Sequence, residues 1–141
     1  MHILIAGGRS RTDYLVESLL ENGNDVVVVN SDRAWCERLS SRHNVPVICG
    51  DATKRYVLDD ADVEGFDIVI ALTNSDADNL VICQMAQHYF GIERQVCTVY
   101  DPRNISLFKK LGISSVISAT YLVAKLIEET SIAAMDDKRH G

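Results

Sequence analysis

A basic stripe is the first thing this 141-residue sequence lacks: 14 Lys and Arg stand against 20 Asp and Glu, for a formal net charge of −6. Proteins that grip a nucleic-acid backbone need clustered cations to displace counterions, so nucleic acid is not an expected partner. Long hydrophobic runs are missing too. The longest, within "DVVVVN" (25–30) and "DIVIALTN" (67–74), fall far short of the roughly 20 apolar residues that span a bilayer. The N-terminus has no charged stretch followed by a long apolar one. No direct membrane insertion is expected, and the cytoplasm is the expected compartment. The cysteines Cys36, Cys49, Cys83 and Cys97 have no CxxC spacing, which removes the common signature of metal or dithiol work. Set mostly in apolar segments, they are expected to behave as small buried hydrophobes. His2, His43, His88 and His140 are scattered without ligand spacing. No Ser/His/Asp set, paired-acid site or nucleophile elbow stands out, so the chain is not expected to be an enzyme. No linker, low-complexity run or internal repeat divides it.

What is present reads as a single soluble domain, 47% hydrophobic and 24% charged. Strands are expected over 2–7, 25–30, 45–53, 66–73, 94–100 and 114–118, each a short run rich in aliphatic and β-branched residues. Between them, helical periodicity marks 11–22, 32–43, 56–63, 76–91, 102–112 and 120–135. Strands that alternate with helices demand right-handed crossovers and a parallel sheet covered on both faces. The expected fold is therefore α/β: a Rossmann-like, doubly wound, six-stranded parallel sheet over residues 1–135, followed by a frayed polar tail, 136–141. Ligands of such sheets bind above the carboxyl ends of the strands.

Candidate site residues follow from that rule. In a full dinucleotide fingerprint the first turn reads GxGxxG. Here Gly7 holds the first place, and Arg9 and Thr12 hold the second and third; a one-residue gap lets Gly8 take the second instead. Arg9, Ser10 and Arg11 open the next helix, where cations and free N–H groups together hold phosphate. Asn30, Ser31, Asp32 and Arg33 follow the second strand, where an acid commonly meets the ribose. Asn30 and Ser31 read equally as the cap of the next helix. Gly50, Asp51, Ala52 and Thr53 end the third strand and suit an adenine edge or a capped turn. Thr73, Asn74, Ser75 and Asn79 lead into a helix whose start receives an anion or a ribose, with capping by Ser75 or Asp76 as the structural alternative. No residue combination calls for a metal.

Gly7, "GDAT" (50–53), "ALTNSDADNL" (71–80) and "YDPRNISLFKKLGISSVIS" (100–118), in this strand order, resemble the regulator-of-potassium-conductance (RCK, or TrkA-N) domain over residues 1 to about 130. The resemblance implies a cytoplasmic, nucleotide-sensing regulatory subunit of a potassium transport system, held to the inner face of the membrane by an integral potassium-translocating partner. It implies a homodimer or larger homo-oligomer, with the last helix as a crossover arm. It also marks departures: Arg9 and Thr12 replace loop glycines, Asn30 replaces the ribose-binding acid, and Thr98 replaces a phosphate-facing arginine on the fifth strand. The adenosine end is better kept than the pyrophosphate end, so AMP, ADP or ATP is the expected ligand ahead of NAD(H). The alternative is the NAD(P)-binding half of an oxidoreductase lacking its catalytic part. Tyr121 and Lys125 match the YxxxK spacing of short-chain dehydrogenases, but read as helix neighbours one turn apart.

Overall fold

Short runs of aliphatic and β-branched residues build every strand, a composition suited to burial on both faces. The computed structural model describes the backbone of residues 1–140 and the side chains of residues 1–139. Strand and helix alternate along it: β1 (His2–Ala6), α1 (Ser10–Glu21), β2 (Asp25–Asn30), α2 (Arg33–Arg42), β3 (Val47–Cys49), α3 (Arg55–Ala61), β4 (Ile68–Ala71), α4 (Asp76–Phe90), β5 (Arg94–Val99), α5 (Asn104–Lys110), β6 (Ser115–Ser118) and α6 (Ala119–His140). All pairings are parallel, and the strand order is β3-β2-β1-β4-β5-β6. This is the doubly wound sheet expected from the sequence. The chain starts in the middle of the sheet, builds outward to β3, then returns to β4 beside β1 and builds outward the other way. Loops on either side of that reversal lead apart, which opens a crevice above the carboxyl ends of β1 and β4.

Alternate strand residues point to opposite faces, and both faces are filled. Ile3, Ile5, Val26 and Val28 meet Val16 of α1 and Leu39 of α2, while Leu4, Ala6, Val29 and Val69 meet Leu58, Ile82 and Phe108 of α3, α4 and α5. Residues 3–6 of β1 are each no more than 1% exposed. Burying one large aliphatic side chain contributes roughly 1.5–3 kcal/mol, so the strand beneath the crevice is the most firmly held.

Two boundaries differ most from expectation. β3 covers only Val47–Cys49 because Pro46 has no N–H to give to a ladder, although its carbonyl still accepts from Val28 N at 3.0 Å. The tail expected to fray instead continues α6 through His140; Gly141 lies outside the described residues. From Thr120 to Arg139 every residue of α6 is exposed, so this helix leans off the body rather than packing on the sheet. No helix among the described residues is long and apolar enough to cross a membrane. Cys36, Cys83 and Cys97 are buried, but Cys49 is exposed at the end of the edge strand, contrary to its expected burial.

Candidate functional site

The site begins with two glycines that no other residue replaces cheaply. Gly7 and Gly8 have φ of +82° and +86°, whereas Arg9 has φ −131°. The left-handed positions of the β1–α1 turn thus fall on residues without a Cβ, and Arg9 carries no left-handed penalty. Thr12, standing at the third glycine place, is wholly buried, and its hydroxyl donates to Gly7 O at 2.7 Å. A Cβ on Gly8 would lie 2.1 Å from that same Thr12 oxygen. A hydroxyl here does by hydrogen bonding what a glycine does by close approach.

Asn30 fastens this turn to β2. Its Nδ2 donates to Gly8 O at 2.8 Å and its Oδ1 accepts from Asp32 N at 3.0 Å. Neither Asn30 nor Ser31 caps α2; Asp32 does, accepting from Trp35 N at 3.1 Å. Ser75 caps α4 by accepting from Asp78 N at 3.2 Å. α1 alone of these three helices has no side chain on its first turn. Its leading N–H donors and the positive end of its dipole are therefore left for an outside anion. Asp13 ties α1 to α2: one carboxylate oxygen accepts from Arg42 Nε at 3.1 Å and meets His43 Nε2 at 2.6 Å. The His43 hydrogen bond, before the nearby Arg42 charge, holds the Asp13 carboxyl below the usual range.

The opposite wall is the β4–α4 turn. Asn79 is completely buried and spends its whole carboxamide there: Oδ1 accepts from Thr73 N at 2.9 Å and Thr73 Oγ1 at 2.6 Å, and Nδ2 donates to Thr73 O at 3.2 Å and Thr98 O at 2.8 Å. Asp76, which the sequence suggests only as a cap, instead accepts from Tyr100 N at 2.7 Å, Asp101 N at 3.1 Å and Asn104 Nδ2 at 2.9 Å. It locks the β5–α5 loop to the start of α4.

Between these walls lies an open cleft of about 700 Å³, lined by Gly7, Gly8, Arg9, Ser10, Arg11, Asn30, Ser31, Asp32, Leu72, Thr73, Asn74 and Tyr100. Its volume is within the range of small-molecule sites. Arg9 does not plug it: the side chain is mostly exposed and reaches toward Asp32, with 3.8 Å between guanidinium and carboxylate. Leu72 is an addition that the sequence pattern does not single out, whereas Tyr100 falls within the strand end Thr98–Asp101, where the topology places a ligand, and is 62% exposed. Arg33, Gly50, Asp51, Ala52, Thr53, Ser75, Asn79 and Thr98 are not part of this lining. Asp51 accepts from Thr53 N at 2.9 Å and Thr53 Oγ1 at 2.7 Å, forming the capped turn that the sequence allows, and the Thr53 hydroxyl chiefly draws its carboxyl below the usual range. Tyr121 and Lys125 are exposed neighbours on α6, with the ammonium 5.7 Å from the ring centre.

A sequence model of the TrkA-N domain matches residues 3–119. The Trk system potassium uptake protein TrkA homolog of Methanothermobacter thermautotrophicus is 30% identical over 145 residues, which span 100% of this chain and 67% of that protein. TrkA of Mycobacterium tuberculosis is 32% identical over 132 residues, 92% of this chain and 59% of the relative. The solved GsuK channel bound to NAD superposes with a TM-score of 0.72 at 26% identity, over 82% of this chain and 21% of that one. GsuK bound to ADP gives the same TM-score and identity, over 83% of this chain and 31% of that one. The similarity thus reaches only part of each relative's length.

Proposed function

This chain belongs to the TrkA-N domain family, and we propose that it is a nucleotide-sensing regulatory module of a potassium uptake system, whose cleft takes an adenine nucleotide. The observation that carries the reading is the uncapped start of α1 behind two left-handed glycines, inside an open cleft flanked by two arginines. Phosphate sits on the first turn of α1, with Arg9 and Arg11 as counter-charges. To reach it, Arg9 gives up its weak, exposed pairing with Asp32. Asn30 is already committed to Gly8 and Asp32, so the ribose meets Ser31 and the Asp32 carboxylate, and adenine extends toward Gly50–Thr53. AMP, ADP or ATP needs only the α1 and β2 side of the cleft and the β3 end that lies beyond its lining. NAD(H) also needs the half formed by Leu72, Thr73, Asn74 and Tyr100.

The partner in this reading is an integral potassium-translocating subunit at the cytoplasmic face of the membrane. The module works as a homodimer. Leu122, Val123, Leu126, Ile127, Ile132 and Met135 of α6 are each between 48% and 62% exposed, more apolar surface than a free helix leaves to water. Light scattering on the purified chain is expected to give a dimer; a monomer at micromolar concentration contradicts this part of the proposal.

Calorimetric titration with AMP, ADP, ATP, NAD+ and NADH tests the site. At least one mononucleotide is expected to bind with Kd well below millimolar, the level worth about −4 kcal/mol. Arg11→Ala is expected to weaken it by about tenfold, the loss of one charge-assisted hydrogen bond. Tyr100→Ala should lower affinity for NAD(H) more than for AMP. Absence of binding by all five ligands overturns the assignment. Steady oxidation of NADH with an added acceptor would instead support the oxidoreductase alternative.

A further inference from the structure

The four cysteines occupy two kinds of surroundings. Cys83 and Cys97 are both wholly buried in the core between β5 and α4. Cys36, on α2, and Cys49, at the end of the edge strand β3, lie instead on either side of Asn30. Cys49 is the register partner of Asn30 across the β2–β3 ladder. The Cys36 thiol donates to Asn30 O at 3.1 Å, so both cysteines border the same residue, Cys36 through its thiol and Cys49 through the ladder. Only one of the two is open to solvent: Cys36 is 7% exposed, whereas Cys49 is exposed.

We propose that Cys36 and Cys49 form an oxidisable dithiol, which low-molecular-weight disulfides convert to an intramolecular disulfide, with Cys49 as the attacking thiol and Cys36 as the resolving one. The order follows from access and charge. Burial, and after it the neighbouring Cys49, pushes the Cys36 thiol up to about 12, so Cys36 is a poor first nucleophile. Cys49 thiolate attacks one sulfur of an external disulfide RS–SR; the Cys49–SR bond forms, the RS–SR bond breaks, and RS⁻ leaves to take up a proton. Cys36 releases its proton to water and attacks the Cys49 sulfur, the Cys36–Cys49 bond forms, and the second RS⁻ departs. Two protein thiols are oxidised and one external disulfide is reduced to two thiols.

Closing this bond removes the donor that Cys36 offers to Asn30 O. Asn30 is the residue whose side chain holds both Gly8 O and Asp32 N, so the thiol state reaches the wall of the cleft through a single residue.

The test is peptide mapping of the full chain after incubation with oxidised glutathione under native conditions, followed by acid quenching and alkylation. The expected product is a Cys36–Cys49 disulfide, with Cys83 and Cys97 still reduced. Cys36→Ser should stop at a glutathione adduct on Cys49, and Cys49→Ser should give neither product. A wild-type protein that accumulates a stable Cys49 adduct while Cys36 stays free overturns the proposal, and that result is read on the unaltered chain, with no variant required to fold. In the oxidised form the Asp32 amide should exchange its hydrogen at least threefold faster; an unchanged rate overturns the link to the cleft. None of these readouts involves nucleotide, so their failure is distinct from a failed titration.

Discussion

Gly7→Ala is expected to destabilise the domain by about 3 kcal/mol or more, the sum of a left-handed backbone penalty and an overpacked contact. The added Cβ would stand 2.6 Å from Thr73 Cγ2, 2.9 Å from Thr73 N and 3.0 Å from Thr73 Cα. A flexible side chain would move aside, but two of these atoms are backbone. Thr73 cannot retreat either, because Asn79 holds its N–H, hydroxyl and carbonyl at once. The turn that carries α1 must therefore separate from the turn that carries α4, and both walls of the cleft shift. Thermal unfolding is expected to fall by roughly 10 °C, with loss of any nucleotide-dependent stabilisation. Gly23→Ala is the control. Its φ of +80° imposes the same backbone strain, but nothing lies within 4 Å of the new Cβ. It should cost only about 1–2 kcal/mol, and equal losses at the two positions would refute the crowding argument.

Asn79→Ala should be comparably severe. The carboxamide is wholly buried, and its removal strands the Thr73 N–H and takes a donor from the Thr98 carbonyl. Each buried polar group left without a partner costs about 1–3 kcal/mol, and a loss of about 3 kcal/mol in urea unfolding is expected. Asn79→Asp separates lost volume from lost hydrogen bonding. It keeps the size and the acceptor toward Thr73 N, but turns an acceptor toward Thr73 O and Thr98 O. At neutral pH it should be at least as unstable as Asn79→Ala. A near-native Asn79→Asp would mean that the donor bonds contribute little.

The fold is legible because most strands are built around a run of aliphatic residues and each gap carries a helical period or a stop signal, as at Asn22-Gly23. The rim of the sheet follows from topology, which sets the turns at Gly7, Asn30 and Thr73 around one crevice. What the sequence hides is which polar groups are already spent. Asn30 and Asn79 read as ligand contacts, yet their partners, Gly8 and Thr98, lie 22 and 19 positions away. Only the folded chain shows that both carboxamides act as fasteners of the cleft walls. Thr12 is similar: it breaks the glycine fingerprint on paper, but its hydroxyl closes the turn. Asp76 reads as a cap because it opens a helix, whereas its grip on the β5–α5 loop spans 24 positions or more. The full length of α6 is not legible, because a polar segment with no packing partner gives no hydrophobic period to follow.

The central claim is that an adenine nucleotide lies with its phosphate on the first turn of α1. Crystals grown with AMP test it most directly. The expected result is difference density for the phosphate within hydrogen-bonding distance of the backbone N–H groups following Gly8, with Arg9 turned away from Asp32. A fully saturated crystal whose AMP density lies elsewhere, while the Gly7–Arg11 turn holds only water, would contradict it.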